Sequence, residues 1–511
     1  MRGGGEFCLG TRGALGLSGV PMRRLKVLFV TPEVEPFVKV GGLADMVGAL
    51  PKEIAALGHD ARVMCPLYAS TKRVGEWTHR EEPLGVDVGP EARWARTWET
   101  TLPGTAVPAY FIEHDWYFGR PEVYSESTDN PFRFAFFCRA ALALCEQLGW
   151  IPDVIHCHDW TTGLLPVMLN TTLRDTPLGK TATVFTIHNL EHQGYAPRSI
   201  VEFSHLPMSE YRADSLESHG SVNMMKAGLY HSSKLTTVSP TYAQEVRTRE
   251  GGFGLDGVLG FRSGDVIGIL NGIDAAAWDP ATDKALTANF SAADLSGKAA
   301  CKAALQERLE LNVDAHVALY GVVARLVHQK GLDLLGESLG HIVERMHVQF
   351  ALIGSGEERV EQMFRNAAAR YPGKIAAAIG FDPKLARLVQ AGSDLFVMPS
   401  RSEPCGLTQM YAMRYGTLPI VRATGGLVDT VANYEPGQER GTGFTFREAN
   451  SAALYQAVGR ACETYYDRPA EFRAMQLRAM AQDFSWAASA PKYVEVYRWA
   501  IEARTGAVLE E

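Results

Sequence analysis

Glu403 is a single carboxylate in a short turn. The chain from Asp394 reads D-L-F-V-M-P-S-R-S-E-P-C-G-L-T-Q-M-Y. Leu395, Phe396, Val397 and Met398 form an unbroken apolar run, the signature of a strand buried on both faces. Pro399 and Ser400 end that strand, and apolar residues return at helical spacing at Leu407, Met410, Tyr411 and Met413. Strand, polar turn, helix is the geometry that presents groups to a ligand at the carboxyl end of a sheet. A glutamate alone in such a turn is most often solvated. The other polar groups at strand ends give this one its weight.

Cations and paired glycines stand at comparable positions. Lys39 precedes Gly41 and Gly42, which open a helical pattern through Leu43, Met46, Val47, Leu50 and Ile54. Paired glycines at a helix start let backbone N–H groups approach a phosphate, and the helix dipole favours its charge. Arg325 and Lys330 follow another central strand, just before Gly331. Gly380 and Phe381 follow a further strand, and Gly425 and Gly426 open a second helix. Arginine binds phosphate through parallel hydrogen bonds, and lysine acts as a point charge, so the set suits a diphosphate. His156 and His158 share one face of a strand, but no third residue at a supporting spacing makes them a metal site. No DxD or clustered Asp pair stands ready for a metal, so none is expected. His188, Asn189 and Gln193 follow another strand end.

The elements that hold these residues alternate strand and helix. Strand patterns fall at 25–31, 61–66, 109–114, 153–158, 182–187 and 235–239, with helical patterns at 132–148 and 163–172. The polar, Trp-rich stretch 75–100 is an excursion with extra strands. A second series begins with an Ala- and Lys-rich helix at 297–311 and continues with strands at 317–323, 348–353, 374–379, 394–398, 418–422 and 442–446. The pattern predicts an α/β protein of two doubly wound, Rossmann-like domains facing across a deep cleft. The boundaries expected are 1–21 as a disordered leader, 22–268, 269–485, and 486–511 as a closing helical segment. Gly, Pro and an Asn-Gly turn near Asn271 mark the hinge. Met22, just ahead of the first strand, is a candidate natural start.

The chain has 511 residues, 46% of them hydrophobic, enough for more than one core. A net charge of −8 offers nothing to nucleic acid. No apolar run reaches the ~18 residues that span a bilayer. Eight scattered cysteines without a CxxC pair read as reduced thiols of a cytoplasmic protein.

Several strings resemble one family in its own order: K-V-G-G-L-A-D from Lys39, H-C-H-D-W from His156, T-I-H-N-L-E-H-Q-G from Thr186, and S-R-S-E-P-C-G-L-T-Q from Ser400. The run from Leu25 to Trp499 is similar to the bacterial glycogen synthases and plant starch synthases, family 5 glycosyltransferases of the GT-B fold. The resemblance implies retaining transfer of glucose from ADP-glucose to the non-reducing end of an α-1,4-glucan. It implies that Lys39, Arg325 and Lys330 hold the diphosphate, that Glu403 hydrogen-bonds the donor glucose, and that His158 lies beside the anomeric carbon. Gly41, Gly42, Asp45, Asn271, Gly380, Phe381, Cys405, Gly406, Leu407 and Thr408 would line the donor site. Glu33, His188, Asn189 and Gln193 would face the acceptor or support the others. The last helix would cross back to the first domain. Two departures stand out: Thr161 replaces a histidine common after H-D-W, and Tyr411 stands where many related transferases carry a second glutamate, as expected for this branch. No cofactor is implied, and the chain would act as a monomer or homo-oligomer. UDP-glucose as donor, a phosphorylase carrying pyridoxal phosphate, and a non-catalytic glucan-binding protein are the alternatives.

Overall fold

The computed structural model describes residues 23–125 and 127–507; the leader and Met22 lie outside them. The first sheet has ten strands. From one edge it runs Val266–Gly268, Lys234–Thr237, Ala182–Ile187, Val154–His158, Lys26–Val30, Asp60–Pro66 and Pro108–Glu113, all parallel. The Trp-rich stretch does not leave this sheet. It extends it through Glu91–Thr101, which pairs antiparallel with Pro108–Glu113, and through Thr78–His79 and Leu84–Val88. The central strands are buried throughout, as their apolar runs require.

The second sheet has six parallel strands: Ile375–Ile379, Val348–Gly354, Ala318–Val323, Leu395–Met398, Leu418–Arg422 and Phe444–Phe446. In chain order that is 3-2-1-4-5-6, the doubly wound arrangement. Its switch point falls between Ala318–Val323 and Leu395–Met398, the strands followed by Arg325, Lys330 and Glu403. The first sheet switches between Lys26–Val30 and Val154–His158, the strands that lead to Lys39 and end at His158. Ligands bind at such crevices because the connections leave in opposite directions and open a gap.

The helix Ser296–Arg308 carries two lysines into the second core. Lys298 Nζ donates to Ala391 O (2.8 Å), Tyr415 O (3.0 Å) and Thr417 Oγ1 (2.6 Å). Burial pushes its pKa down to about 7, with the nearby Asp394 carboxylate only partly opposing it. Lys302 pairs with Asp394 at 2.7 Å.

The lobes are joined where the chain crosses itself. Ile273 N donates to Phe484 O at 2.7 Å, and Gly272 packs so close to Trp486 that an added Cβ would stand 2.6 Å from its backbone nitrogen. The helix Trp486–Thr505 then runs along the first lobe, with Tyr497 hydrogen-bonded to His156 and Arg504 to Gly179 O and Leu169 O. Across the seam, Thr241 donates from N (2.9 Å) and Oγ1 (2.8 Å) to Asp429. Glu245 in return accepts from Thr424 Oγ1 (3.0 Å) and Gly425 N (2.9 Å). Each lobe thus caps the start of a helix in the other.

Candidate functional site

The turn that carries Glu403 is pinned from both neighbouring strand ends. Lys330 Nζ donates to Glu403 Oε2 at 2.6 Å, and Ser400 Oγ donates to the same oxygen at 3.0 Å. Arg401 forks onto Asp333 through two bonds of 2.7 Å. Arg422, at the end of the next strand, donates to Ser400 O (2.7 Å) and to Arg401 O. The turn is therefore held by the chain's own side chains. Asp333, Arg401 and Arg422 do this holding, and only their spatial meeting, not their spacing, reveals it.

Arg325 differs from Lys330. It is exposed and makes no ion pair or side-chain hydrogen bond among the described residues. Gly331 takes φ +63°, and a Cβ there would meet Pro399 O at 2.1 Å, so only glycine lets the Lys330 loop lie against the Glu403 turn. Phe381 stands 88% exposed after Gly380, whose φ of +139° also favours glycine. Cys405 is buried, which pushes its thiol up to about 12 and leaves it unreactive. Thr408 spends its hydroxyl on Met398 Sδ (3.4 Å). Asn271 is buried, and its Oδ1 has no hydrogen-bond partner among the described residues.

The first lobe faces this turn through its glycine loop. A Cβ on Gly42 would stand 3.6 Å from Leu407 Cδ1, and Ser239 Oγ donates to Pro404 O at 2.6 Å. Lys39 pairs with Asp45 at 2.6 Å and keeps 44% of its side chain exposed. The N–H of Gly41, read from sequence as a phosphate donor, is already spent: it donates to Glu33 Oε2 at 2.9 Å. Gly42 is the residue of the pair whose N–H makes no hydrogen bond among the described residues.

The resemblance sets His158 beside the reacting sugar; the structure buries this residue and leaves its Nε2 without a hydrogen-bond partner among the described residues. Its backbone N donates to Thr162 Oγ1, and its Nδ1 lies 3.1 Å from His188 Nε2. His188 as a residue is partly buried. Burial pushes the His188 pKa down to about 3, so it is a neutral imidazole. Asp159 accepts from His188 N at 2.7 Å, and its burial raises its own pKa to about 8. His156 spends both ring nitrogens, on Tyr497 (2.9 Å) and Thr186 (2.6 Å), leaving none for a metal. The Gln193 side-chain amide donates to Phe253 O and accepts from Asn223 and Tyr195. Asn189 Oδ1 accepts from Glu191 N in a local turn.

Two family profiles match the chain: Starch synthase catalytic domain over residues 26–260, and Glycosyl transferases group 1 over residues 305–474. A glycogen synthase of Anaeromyxobacter sp. is 48% identical over 479 residues, covering 93% of this chain and 99% of its own. The chain belongs to the glycogen synthase and starch synthase family. It is a glycosyltransferase of the GT-B fold. Glycogen synthase 1 of Geobacter sulfurreducens is 45% identical over 496 residues, 95% of this chain and 98% of that one. Among solved structures, the catalytic domain of starch synthase IV from Arabidopsis thaliana, bound to ADP and acarbose, superposes with a TM-score of 0.88 at 36% identity. It covers 94% of this chain and 100% of that one. No helix of the described residues is long and apolar enough to cross a membrane.

Proposed function

We propose that the chain transfers glucose from ADP-glucose to the non-reducing end of an α-1,4-glucan, with retention at the anomeric carbon. The observation that carries this is the meeting of two switch points: the Lys39–Gly42 loop stands against Leu407, beside a Glu403 already oriented by Lys330. The relative bound to ADP and acarbose supports both the nucleotide and the glucan.

In this reading Lys39, Arg325 and Lys330 neutralise the diphosphate as it departs, with the free N–H of Gly42 beside them. An ammonium has three donors, so Lys330 can hold Glu403 and a phosphate oxygen together. Glu403, with Ser400 and Lys330 fixing one oxygen, offers the other to hydroxyls of the donor glucose. Phe381 offers an exposed ring for the base to lie on. His158 lies beside the reacting sugar with its Nε2 unpartnered among the described residues, and His188, against its Nδ1, fixes its ring.

The sequence motifs mark no pair of carboxylates of the kind a double displacement uses. We therefore favour attack from the face the nucleotide leaves. The acceptor hydroxyl oxygen bonds to the anomeric carbon as the bond to the diphosphate oxygen breaks. The hydroxyl proton passes to that departing oxygen, which leaves ADP and a glucan one residue longer. Because the chain's own cations meet the charge, a chelator should leave turnover unchanged. The free, buried thiols of the described cysteines fit a cytoplasmic setting.

The deciding experiment supplies labelled ADP-glucose and UDP-glucose together to the purified chain with a maltooligosaccharide. Preferential incorporation from ADP-glucose is expected. Equal or preferred use of UDP-glucose overturns the donor, and no incorporation overturns the activity.

A further inference from the structure

Glu33 is buried to 3% exposure at the end of the first strand. Its Oε2 accepts from Val40 N (2.5 Å) and Gly41 N (2.9 Å). Its Oε1 accepts from Tyr124 Oη–H at 2.8 Å. Two successive N–H groups converging on one oxygen form an anion-binding nest, and here the protein's own carboxylate fills it. The rest of the loop is tied as tightly. Val34 and Val38 bond each other's backbone, and Glu35 N donates to Ala44 O at 3.1 Å. A groove of about 540 Å³ is lined in part by Lys39, Val40 and Tyr124. Glu33 joins two of these, accepting from Val40 N and from the Tyr124 hydroxyl.

We infer that Glu33 is a positioning residue, an internal stand-in anion whose carboxylate, locked by Tyr124, holds the loop so that Lys39 and Gly42 meet the donor diphosphate. The inference rests on the reading of Lys39–Gly42 as the diphosphate loop. It departs from a direct contact between Glu33 and the acceptor. A carboxylate this close to a bound diphosphate repels it, so its presence is useful only if the order it imposes on the loop outweighs that repulsion.

Substitutions separate the two roles. In Glu33→Gln the amide oxygen can still accept from Val40 and Gly41, and its NH2 can donate to the Tyr124 hydroxyl. The nest stays filled and the repulsion is gone. In Glu33→Ala the nest is empty and the loop loses three bonds. ADP affinity is measured by calorimetry on the full chain, at a temperature where circular dichroism shows each variant folded. The KM values for ADP-glucose and for maltooligosaccharide are measured beside it. Glu33→Gln should bind ADP within about threefold of the parent chain or tighter. Glu33→Ala should lose about tenfold or more. Tyr124→Phe should fall between, with the maltooligosaccharide KM unmoved in all three.

If Glu33→Gln is as weak as Glu33→Ala, or if the maltooligosaccharide KM rises while ADP affinity stays constant, the positioning role is wrong. If the parent chain does not bind ADP, the reading of the loop itself fails, a different outcome from the failure of the clamp.

Discussion

Removing Lys330 should cost more than one cation. Its ammonium lies 2.6 Å from Glu403 Oε2, with side-chain exposures of 20% for the lysine and 7% for the glutamate. Lys330→Ala takes a charge from the diphosphate and leaves Glu403 nearly buried with Ser400 as its remaining partner. Breaking a fully buried pair costs about 3–5 kcal/mol; with a fifth of Lys330 in solvent, about 1–2 kcal/mol is the reasonable figure. That is a fall of a few degrees in Tm for a lobe of this size, too little to unfold the chain. Turnover should fall by about 10²–10³, the usual loss for one preorganised electrostatic contact. Glu403→Gln should lose a similar factor. If the residues acted independently, the double variant would lose about 10⁴–10⁶. Because Lys330 orients Glu403, the pair works as a unit, and the double variant should lose little more than the worse single one. Initial rates of glucose transfer at saturating donor, with Tm measured in parallel, decide this. A multiplicative loss, or parent-like turnover in Lys330→Ala, would refute the coupling.

Three further outcomes are expected. Glu245→Ala with Asp429→Ala removes the reciprocal caps between lobes, so the radius of gyration in small-angle scattering should increase while circular dichroism stays unchanged; an unchanged radius means that these contacts do not hold the seam. His158→Ala should reduce turnover more than His188→Ala does, because His158 carries the unpartnered Nε2 and His188 only supports its ring; the reverse order would move the sugar contact to His188. Lys298 has a folded pKa near 7 against 10.5 in the unfolded chain, so the unfolded state binds more protons between those values and this residue makes stability rise with pH there. The Tm of the parent chain minus that of Lys298→Met should therefore grow from pH 7 to pH 10, and a flat or falling difference contradicts the assignment.

The strands were the legible part. Ala182–Ile187 and Leu418–Arg422 stand where their apolar, β-branched runs set them, because a strand buried on both faces leaves no polar alternative. The turn holding Glu403 and the loop holding Lys330 could be found because each interrupts such a run with Gly, Pro and charge. What escaped was set by contacts far apart in the chain. Nothing near Gly41 in the sequence says that Glu33 takes its N–H. Nothing near His158 says that His188 packs against its Nδ1. Phe253 and Asn223 reach the Gln193 amide from distant loops. Lys298 and Lys302 look solvated in an alanine-rich helix, yet carbonyls and Asp394 wait for them in the core. Polar side chains have many possible partners, and the fold alone chooses among them.

The direct test of one diphosphate held between two lobes is calorimetric titration of ADP into the parent chain, Lys39→Ala, Arg325→Ala and the double variant. Lys39 comes from the first lobe, and Arg325 from the second. Each single change should weaken ADP by about tenfold, and the double variant should be weaker than either. ADP affinity that depends on one of these residues and ignores the other would contradict the shared site.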